Sequence, residues 1–324
     1  MTTAKVVAFG GGHGLSASLR ALRRCAPELD LDITAVVTVG DDGGSSGRLR
    51  AERGGLPPGD LRQALVALAG DHPSTRRSAG LFQHRFAEVP ASPVGDGLAG
   101  HAVGNLVLHG LMELLGDPVA ALEHAGAMLG AVGRVLPMSC EPVGIEARVR
   151  GVDPERPDEV RTVTGQHQVA VTAGRVESLR LTPAAPRACP EAVTAIGAAD
   201  WLIFGPGSWY TSVLPHLLVP ELAEAIISSP ARRLVTLNLA AEKETLGLSV
   251  ADHLAALRWY LPELKVDFVL ADSKAVGDPE PVERAAESLG ARLVLAPVAV
   301  TDGTPRHDPA ALGAALVPVL GADR

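Results

Sequence analysis

Along this chain, short blocks of apolar residues alternate with longer stretches in which apolar positions recur every three or four residues. Lys5-Val6-Val7-Ala8-Phe9 is apolar almost throughout and stops at glycines, the pattern of a buried parallel strand. Over residues 15–25, Leu15, Leu19 and Leu22 fall at helical spacing, with Arg20, Arg23 and Arg24 on the opposite side. Residues 32–39 form a second block rich in β-branched side chains. Strand, helix and strand in this order predict a right-handed βαβ unit. Residues 57–133 keep helical spacing, with one stripe through Leu61, Leu65 and Leu68 and another over residues 103–115. The pattern then changes. Between residues 143 and 182, Gly-Ile-Glu-Ala-Arg-Val-Arg, then Gln168-Val169-Ala170-Val171, then Arg-Val-Glu-Ser-Leu-Arg-Leu alternate apolar with polar positions, the period of half-exposed antiparallel strands. Afterwards apolar blocks return at residues 200–204, 233–238, 266–271 and 293–296, with helices predicted over 249–260 and 309–320. The fold class these patterns predict is α/β: a Rossmann-like parallel sheet flanked by helices, with a small β-rich insertion. The expected divisions are a nucleotide-binding half at 1–142, the insertion at 143–190, and a second α/β half at 191–324 that completes the same sheet.

Composition narrows what such a fold would do. Apolar residues make up 47% of the 324 residues, enough for a sizeable core. The net charge is −8 and aromatics are only 3%, so no basic, aromatic-interleaved surface is on offer and nucleic acid is not an expected partner. Three dispersed cysteines form no disulfide framework and no Cys-x-x-Cys metal motif. The N-terminal residues lack a signal-peptide pattern, and no apolar run approaches the length of a membrane span, so a cytoplasmic protein without membrane insertion is expected. A homo-oligomer is compatible with all of this.

The candidate chemistry sits directly after the predicted strands. In open parallel sheets the strand C-termini converge on one edge, where ligands bind. The first such segment is Gly10-Gly11-Gly12-His13-Gly14-Leu15, in which glycines let the backbone approach an anion and the following helix offers free N–H groups. The Gly-Lys-Ser/Thr ending of a P-loop is missing. Gly12-x-Gly14-x-x-Ala17 fits the loose dinucleotide fingerprint, which by itself leaves NAD(P) open; a plain tight turn is the simpler account, and His13 either meets a phosphate or faces solvent. The second segment, Asp41-Asp42-Gly43-Gly44-Ser45-Ser46-Gly47-Arg48, joins paired carboxylates, suited to a divalent cation or a ribose hydroxyl, to hydroxyl donors and a guanidinium. Asp60, in Pro57-Pro58-Gly59-Asp60, either caps the next helix or completes a carboxylate site with Asp41 and Asp42. His101 and Asn105 share a helix face, as ligand contacts or as a satisfied interior pair. Gly205-Pro206-Gly207-Ser208 forms another donor-rich loop, with Tyr210, Thr211 and Ser212 beyond it, but it is not a hydrolase elbow. Asp252 and His253 read as structural. Arg306 is a natural partner for a pyrophosphate, or a solvated loop charge. No nucleophile–base pair emerges, so no catalytic residue is assigned and a binding role is expected ahead of an enzymatic one.

Taken together, Gly-Gly-Gly-His-Gly-Leu-Ser, Val-Thr-Val-Gly-Asp-Asp-Gly-Gly-Ser-Ser-Gly-Arg-Leu, Pro-Pro-Gly-Asp-Leu-Arg, Leu-Phe-Gln-His-Arg-Phe, Gly-His-Ala-Val-Gly-Asn-Leu, Gly-Pro-Gly-Ser-Trp-Tyr-Thr-Ser-Val and Arg-His-Asp-Pro resemble, in order and over nearly the whole chain, the YvcK family of gluconeogenesis factors within the CofD-like superfamily. The resemblance implies binding of a UDP-sugar, UDP-N-acetylglucosamine or UDP-glucose, with no required cofactor. It also implies a regulatory role linking carbon metabolism to cell shape, with protein partners in envelope synthesis. On that pattern Gly12, Gly14, Ser45 and Ser46 would hold the pyrophosphate, Arg306 would neutralise it, and a base would stack on Phe268. Gly11, His13, Leu15, Asp41, Asp42, Gly43, Gly44, Arg48, Asn105, Gly205, Gly207 and Ser208 complete the expected contacts. The superfamily's enzyme branch transfers a phospholactyl group to a deazaflavin precursor with a divalent metal held by aspartates, which by motif match Asp41, Asp42 and Asp60; Asp41 and Asp60 are the expected metal ligands here. The chain departs from that branch at its first glycine loop and lacks the branch's Gly-Gly and Lys-rich central motif, so transferase activity is the alternative expectation.

Overall fold

A computed structural model describes residues 3–89, 96–245 and 247–322. The first apolar block forms β1 (Ala4–Gly10), followed by α1 (Gly12–Leu29) and β2 (Leu31–Val37), the expected βαβ unit. The helical stretch resolves into α2 (Gly44–Arg53), α3 (Pro58–Leu68), α4 (Pro73–Gln83), α5 (Val103–Leu115) and α6 (Pro118–Leu129), ending in a short strand β3 (Arg134–Pro137). The insertion carries β4 (Gly144–Arg150), β5 (Val160–Thr164), α7 (Gln166–Val171) and β6 (Arg175–Thr182). Then follow α8 (Pro190–Gly197), β7 (Trp201–Phe204), α9 (Pro220–Ser228), β8 (Arg232–Thr236) and α10 (Val250–Tyr260). The chain closes with β9 (Phe268–Asp272), α11 (Glu280–Ser288), β10 (Arg292–Ala296) and α12 (Pro309–Leu320).

Seven strands form one sheet in the order β10-β9-β8-β7-β1-β2-β3, every pairing parallel. Parallel neighbours need crossovers, and the helices supply them while burying the sheet on both sides. This is why β1, β7 and β9 read as largely continuous apolar runs rather than as alternations. At the centre, Phe9 of β1 stacks on Phe204 of β7 with ring centroids 4.8 Å apart, and His216 meets Phe9 edge-on at 5.5 Å. The chain winds outward from β1 to β3, then returns to lay β7 on the other side of β1. The crevice between β1 and β7 is therefore the topological switch point, where two successive strand-end loops diverge and leave room for a ligand.

The insertion is a three-stranded antiparallel sheet in the order β5-β4-β6. One expected strand is corrected here: Gln168-Val169-Ala170-Val171 lies in helix α7, and the middle strand of the segment is Val160–Thr164 instead. The cause is local. Gly165 turns the chain at φ 100°, and the Asp42 carboxylate accepts the His167 N–H at 2.8 Å, satisfying a free amide of the helix start. No helix among the described residues is long and apolar enough to cross a membrane.

Candidate functional site

The loops after β1 and β7 meet at the switch point, and both approach so closely that side chains are excluded. A Cβ on Gly14 would lie 2.3 Å from the Pro206 carbonyl oxygen and 2.5 Å from the Gly207 Cα. Gly12 adopts φ 57°, a left-handed conformation that only glycine takes without strain. No side chain caps the start of α1. The Gly12 amide instead donates to the Asp60 carboxylate, which sits against the positive end of the α1 dipole.

Around this junction opens a cavity of about 1090 Å³, lined by Gly11, Gly12, His13 and Gly14 on one side and Pro206, Gly207 and Ser208 on the other. Asp41 and Asp60 form its floor together with Arg62, while Arg20, Arg85 and Arg306 bring positive charge. The cleft thus has donors and cations for an anion and a carboxylate pair for a cation. Burial, then the nearby Asp41 charge, pushes the Asp60 carboxyl up to about 7, opposed by bonds from Thr38, Gly12 and Gln166. Thr38 Oγ1 donates to Asp60 Oδ2 at 3.3 Å, and Asp41 Oδ1 accepts the Gly43 amide at 2.9 Å. Asp60 is the third residue of α3, whose cap position is Pro57, so the capping reading of Asp60 does not hold. Burial also brings the Arg62 guanidinium down to about 10, with Arg85 adding to the effect.

The second loop is held by β8. Asn238, just past that strand, accepts from the Gly207 amide and donates to the Gly207 carbonyl, each at 2.9 Å. Ser208 Oγ donates to Glu242 at 2.6 Å, and Glu244 accepts the Tyr210 amide at 2.9 Å. Burial, then Glu242, raises the Glu244 carboxyl to about 7. Gly205 enters this loop at φ 74°, joined to Pro206 by a cis peptide bond. At the far rim, Asp272 at the end of β9 accepts four backbone amides, those of Lys274, Ala275, Val298 and Ala299, and so anchors the segment that brings Val300 and His307 to the cavity.

Several sequence-derived contacts lie elsewhere. Phe268 opens β9 at the opposite edge of the sheet, tilted against Trp201 at 5.9 Å with the Arg292 guanidinium 4.8 Å above its ring. Strand starts and strand ends are on different sides of a parallel sheet, so the expected base-stacking role of Phe268 is corrected. Ser45 is buried and spent on an interior network: its hydroxyl meets His101 Nδ1 at 2.9 Å and accepts from Asn105 Nδ2 at 3.0 Å. Asn105 Oδ1 in turn accepts from Arg62 Nε at 2.8 Å, which makes His101 and Asn105 the satisfied interior pair. Ser46 is buried beneath Gly59. Gly44 and Arg48 line a shallower neighbouring pocket that shares Arg85 with the cleft, and Arg48 donates to the Ala99 carbonyl at 2.6 Å. Gly43 is the backbone cap of α2, and Asp42 is engaged by the His167 amide. Leu15 is a core side chain whose amide bonds to the Gly11 carbonyl. Arg306 is on the rim, exposed and paired with Asp302 at 2.7 Å. Asp252 forms a capping box with Ser249 at the start of α10. Gln166 and His167, on α7, line the cleft without any local signal in the sequence, because only the folding of the insertion over the sheet edge brings them there.

An open parallel sheet covered by helices, with a glycine loop and cations at its switch point, defines an α/β protein of the Rossmann-like class. The chain belongs to the CofD family: the family model described as 2-phospho-L-lactate transferase CofD matches residues 6–295. Among curated relatives it is 49% identical to a Mycobacterium tuberculosis protein named "Putative gluconeogenesis factor", over 98% of this chain and 91% of that one. It is 38% identical to the gluconeogenesis factor of Bacillus subtilis, over 90% of this chain and 84% of the relative. A crystal structure of a UPF0052 family member from Bacillus halodurans superposes with a TM-score of 0.84 at 34% identity, covering 98% of this chain and 100% of that one. The expected YvcK-type assignment within the CofD superfamily therefore stands.

Proposed function

We propose that the switch-point cleft binds a nucleoside diphosphate sugar of the UDP-sugar type, and that the protein acts as a ligand-responsive regulator in carbon metabolism and envelope synthesis. The observation that carries this is the junction of two glycine loops, Gly12–Gly14 backbone facing Pro206–Ser208 backbone, across a cavity that also holds Arg20, Arg85 and Arg306. Such backbone is suited to a pyrophosphate, since amides approach an anion where no side chain intervenes. A cavity of about 1090 Å³ has room for a sugar and a base beside it. With Phe268 removed from consideration, the base would rest on the cleft's own walls, near Leu239, Ala240 and Pro305. The name gluconeogenesis factor carried by relatives supports the metabolic part of the proposal. Calorimetry with UDP-N-acetylglucosamine and UDP-glucose tests it; no heat and no thermal shift at millimolar ligand refutes it.

The Asp41–Asp60 pair supports a second reading, a metal-dependent transferase. The two carboxylates repel, and oxygen ligands that face a phosphate site fit a magnesium-type cation, which is commonly held by one or two carboxylates plus the ligand's phosphates. Asp41 and Asp60 would hold that cation, which when bound would polarise a phosphoryl oxygen. The protein's own part is to present the backbone amides at His13 and Gly14, and to hold Asp60 in place through Thr38. Turnover assays with a deazaflavin acceptor and nucleotide-activated phospholactate decide the matter, and absence of metal-dependent product rejects this reading.

A further inference from the structure

Away from the cleft, two of the three cysteines converge. Cys140 follows β3, and Cys189 precedes α8, with Glu191 in the first turn of that helix. One ligand atom from each of Cys140, Cys189 and Glu191 lies within 4.8 Å of the other two. Among the described residues this is the one such group of three. Cys189 Sγ is 3.2 Å from Glu191 Oε2. The arrangement is held by backbone as well as by side chains. The Cys189 amide donates to the Met138 carbonyl at 3.1 Å, and the Ala188 amide to Glu221 at 2.6 Å. The Cys189–Met138 bond ties the two segments that carry the sulfurs to each other, although they are far apart in sequence.

We propose that Cys140, Cys189 and Glu191 form a zinc-binding site. Two thiolates and a carboxylate are a zinc-type donor set, and soft sulfur ligands disfavour magnesium or calcium. Binding releases one proton from each thiol, while the Glu191 carboxylate enters already anionic; the dication then reduces a local charge of −3 to −1. Thiols are weak hydrogen-bond donors, so a buried sulfur gains little from facing a carboxylate and a second sulfur unless a cation joins them. Cys189 is fully buried whereas Cys140 is half-buried and lines a cavity of about 1000 Å³. That cavity, bordered by Glu141, Arg187, Glu221 and Glu224, gives the ion an entry path and leaves its fourth position open to water or a small ligand. The Arg187–Glu141 ion pair stands at its edge. The site does not depend on what the switch-point cleft binds.

Cobalt titration of the full chain under anaerobic, reducing conditions tests the proposal, because cobalt bound to thiolates gives a sulfur-to-metal charge-transfer band. One equivalent per chain is expected, displaced by zinc. Cys140→Ser and Cys189→Ser should abolish the band, Glu191→Gln should weaken cobalt binding at least tenfold, and Cys25→Ser should leave the band intact, since Cys25 bonds to Ala21 and Gly313 elsewhere. Cys140 and Glu191 are half-buried, so their variants keep the test usable if Cys189→Ser does not fold. No band, or a band retained by Cys140→Ser, overturns the proposal.

Discussion

Gly14→Ala is the sharpest perturbation of the switch point. The added Cβ meets the Pro206 carbonyl oxygen at 2.3 Å, the Gly207 Cα at 2.5 Å and the Pro206 carbonyl carbon at 2.7 Å. All three are backbone atoms, so no side chain can rotate out of the way. Opening the first contact to an ordinary 3.4 Å moves the loops apart by 1.1 Å. Overpacking of a tight interior site costs ~1–3 kcal/mol, and an obstacle made of backbone puts this case at the upper end. The Asn238 clamp on Gly207 resists the displacement from the other side. Urea and thermal unfolding should therefore show Gly14→Ala destabilised by ~3 kcal/mol, with UDP-sugar affinity lost in calorimetry. Two companions separate sterics from backbone strain. Gly12→Ala meets nothing closer than Asp60 Oδ1 at 3.8 Å and carries only the left-handed penalty, ~1–2 kcal/mol. Gly110→Ala, within α5 and with nothing within 4 Å, should stabilise by ~0.5–1 kcal/mol. A Gly14→Ala protein as stable as the parent, or one no worse than Gly12→Ala, would refute the close-approach account.

Three further outcomes are expected. The Glu244 carboxyl titrates at about 7 in the folded state and at its ordinary 4.5 when unfolded, so the native state retains a proton that the unfolded chain has released. Stability contributed by this group is full below 4.5 and falls as pH rises to about 7, by on the order of 3 kcal/mol; Glu244→Gln should remove that fall, measured as the difference between two pH series of urea unfolding. Asn238→Ala deletes both bonds to Gly207, and at ~1 kcal/mol per bond should weaken UDP-sugar binding by at least tenfold in calorimetry while the melting temperature drops by a few degrees. Phe268→Leu should lower stability by ~1–2 kcal/mol, through lost contact with Trp201 and Arg292, and leave UDP-sugar affinity unchanged; a tenfold weaker affinity would restore the base-stacking role.

Much of the architecture was legible because burial writes itself into sequence period. β1, β2 and β7 are apolar on both faces of a covered sheet, and α1 shows its stripe at 15, 19 and 22. Not every short element was legible. β3 (Arg-Val-Leu-Pro) does not stand out from the helical stretch, and Gln168-Val169-Ala170-Val171 alternates like a strand yet forms part of α7. There, the carboxylate of Asp42, 125 positions away, accepts the His167 amide and supports the helix start. Local pattern carries no information about a partner so distant.

The site divides in the same way. Its glycine loops could be read directly, since a glycine at a strand end is a local backbone requirement and needs no partner to be recognised. Which polar residues face the cavity depended on the tertiary structure. Ser45 and Asn105 belong to motifs that invite a phosphate, but packing of α2 against α5 turns them toward His101 and Arg62. Phe268 goes to the wrong edge because β9 begins where it stands, and strand direction follows from sheet topology. Gln166 and His167 reach the cleft only because the insertion folds back over it. The sequence by itself determined the class of element and the loops able to approach an anion; the direction in which each side chain points was decided by long-range packing, because burial energy depends on neighbours that the chain brings together only when folded.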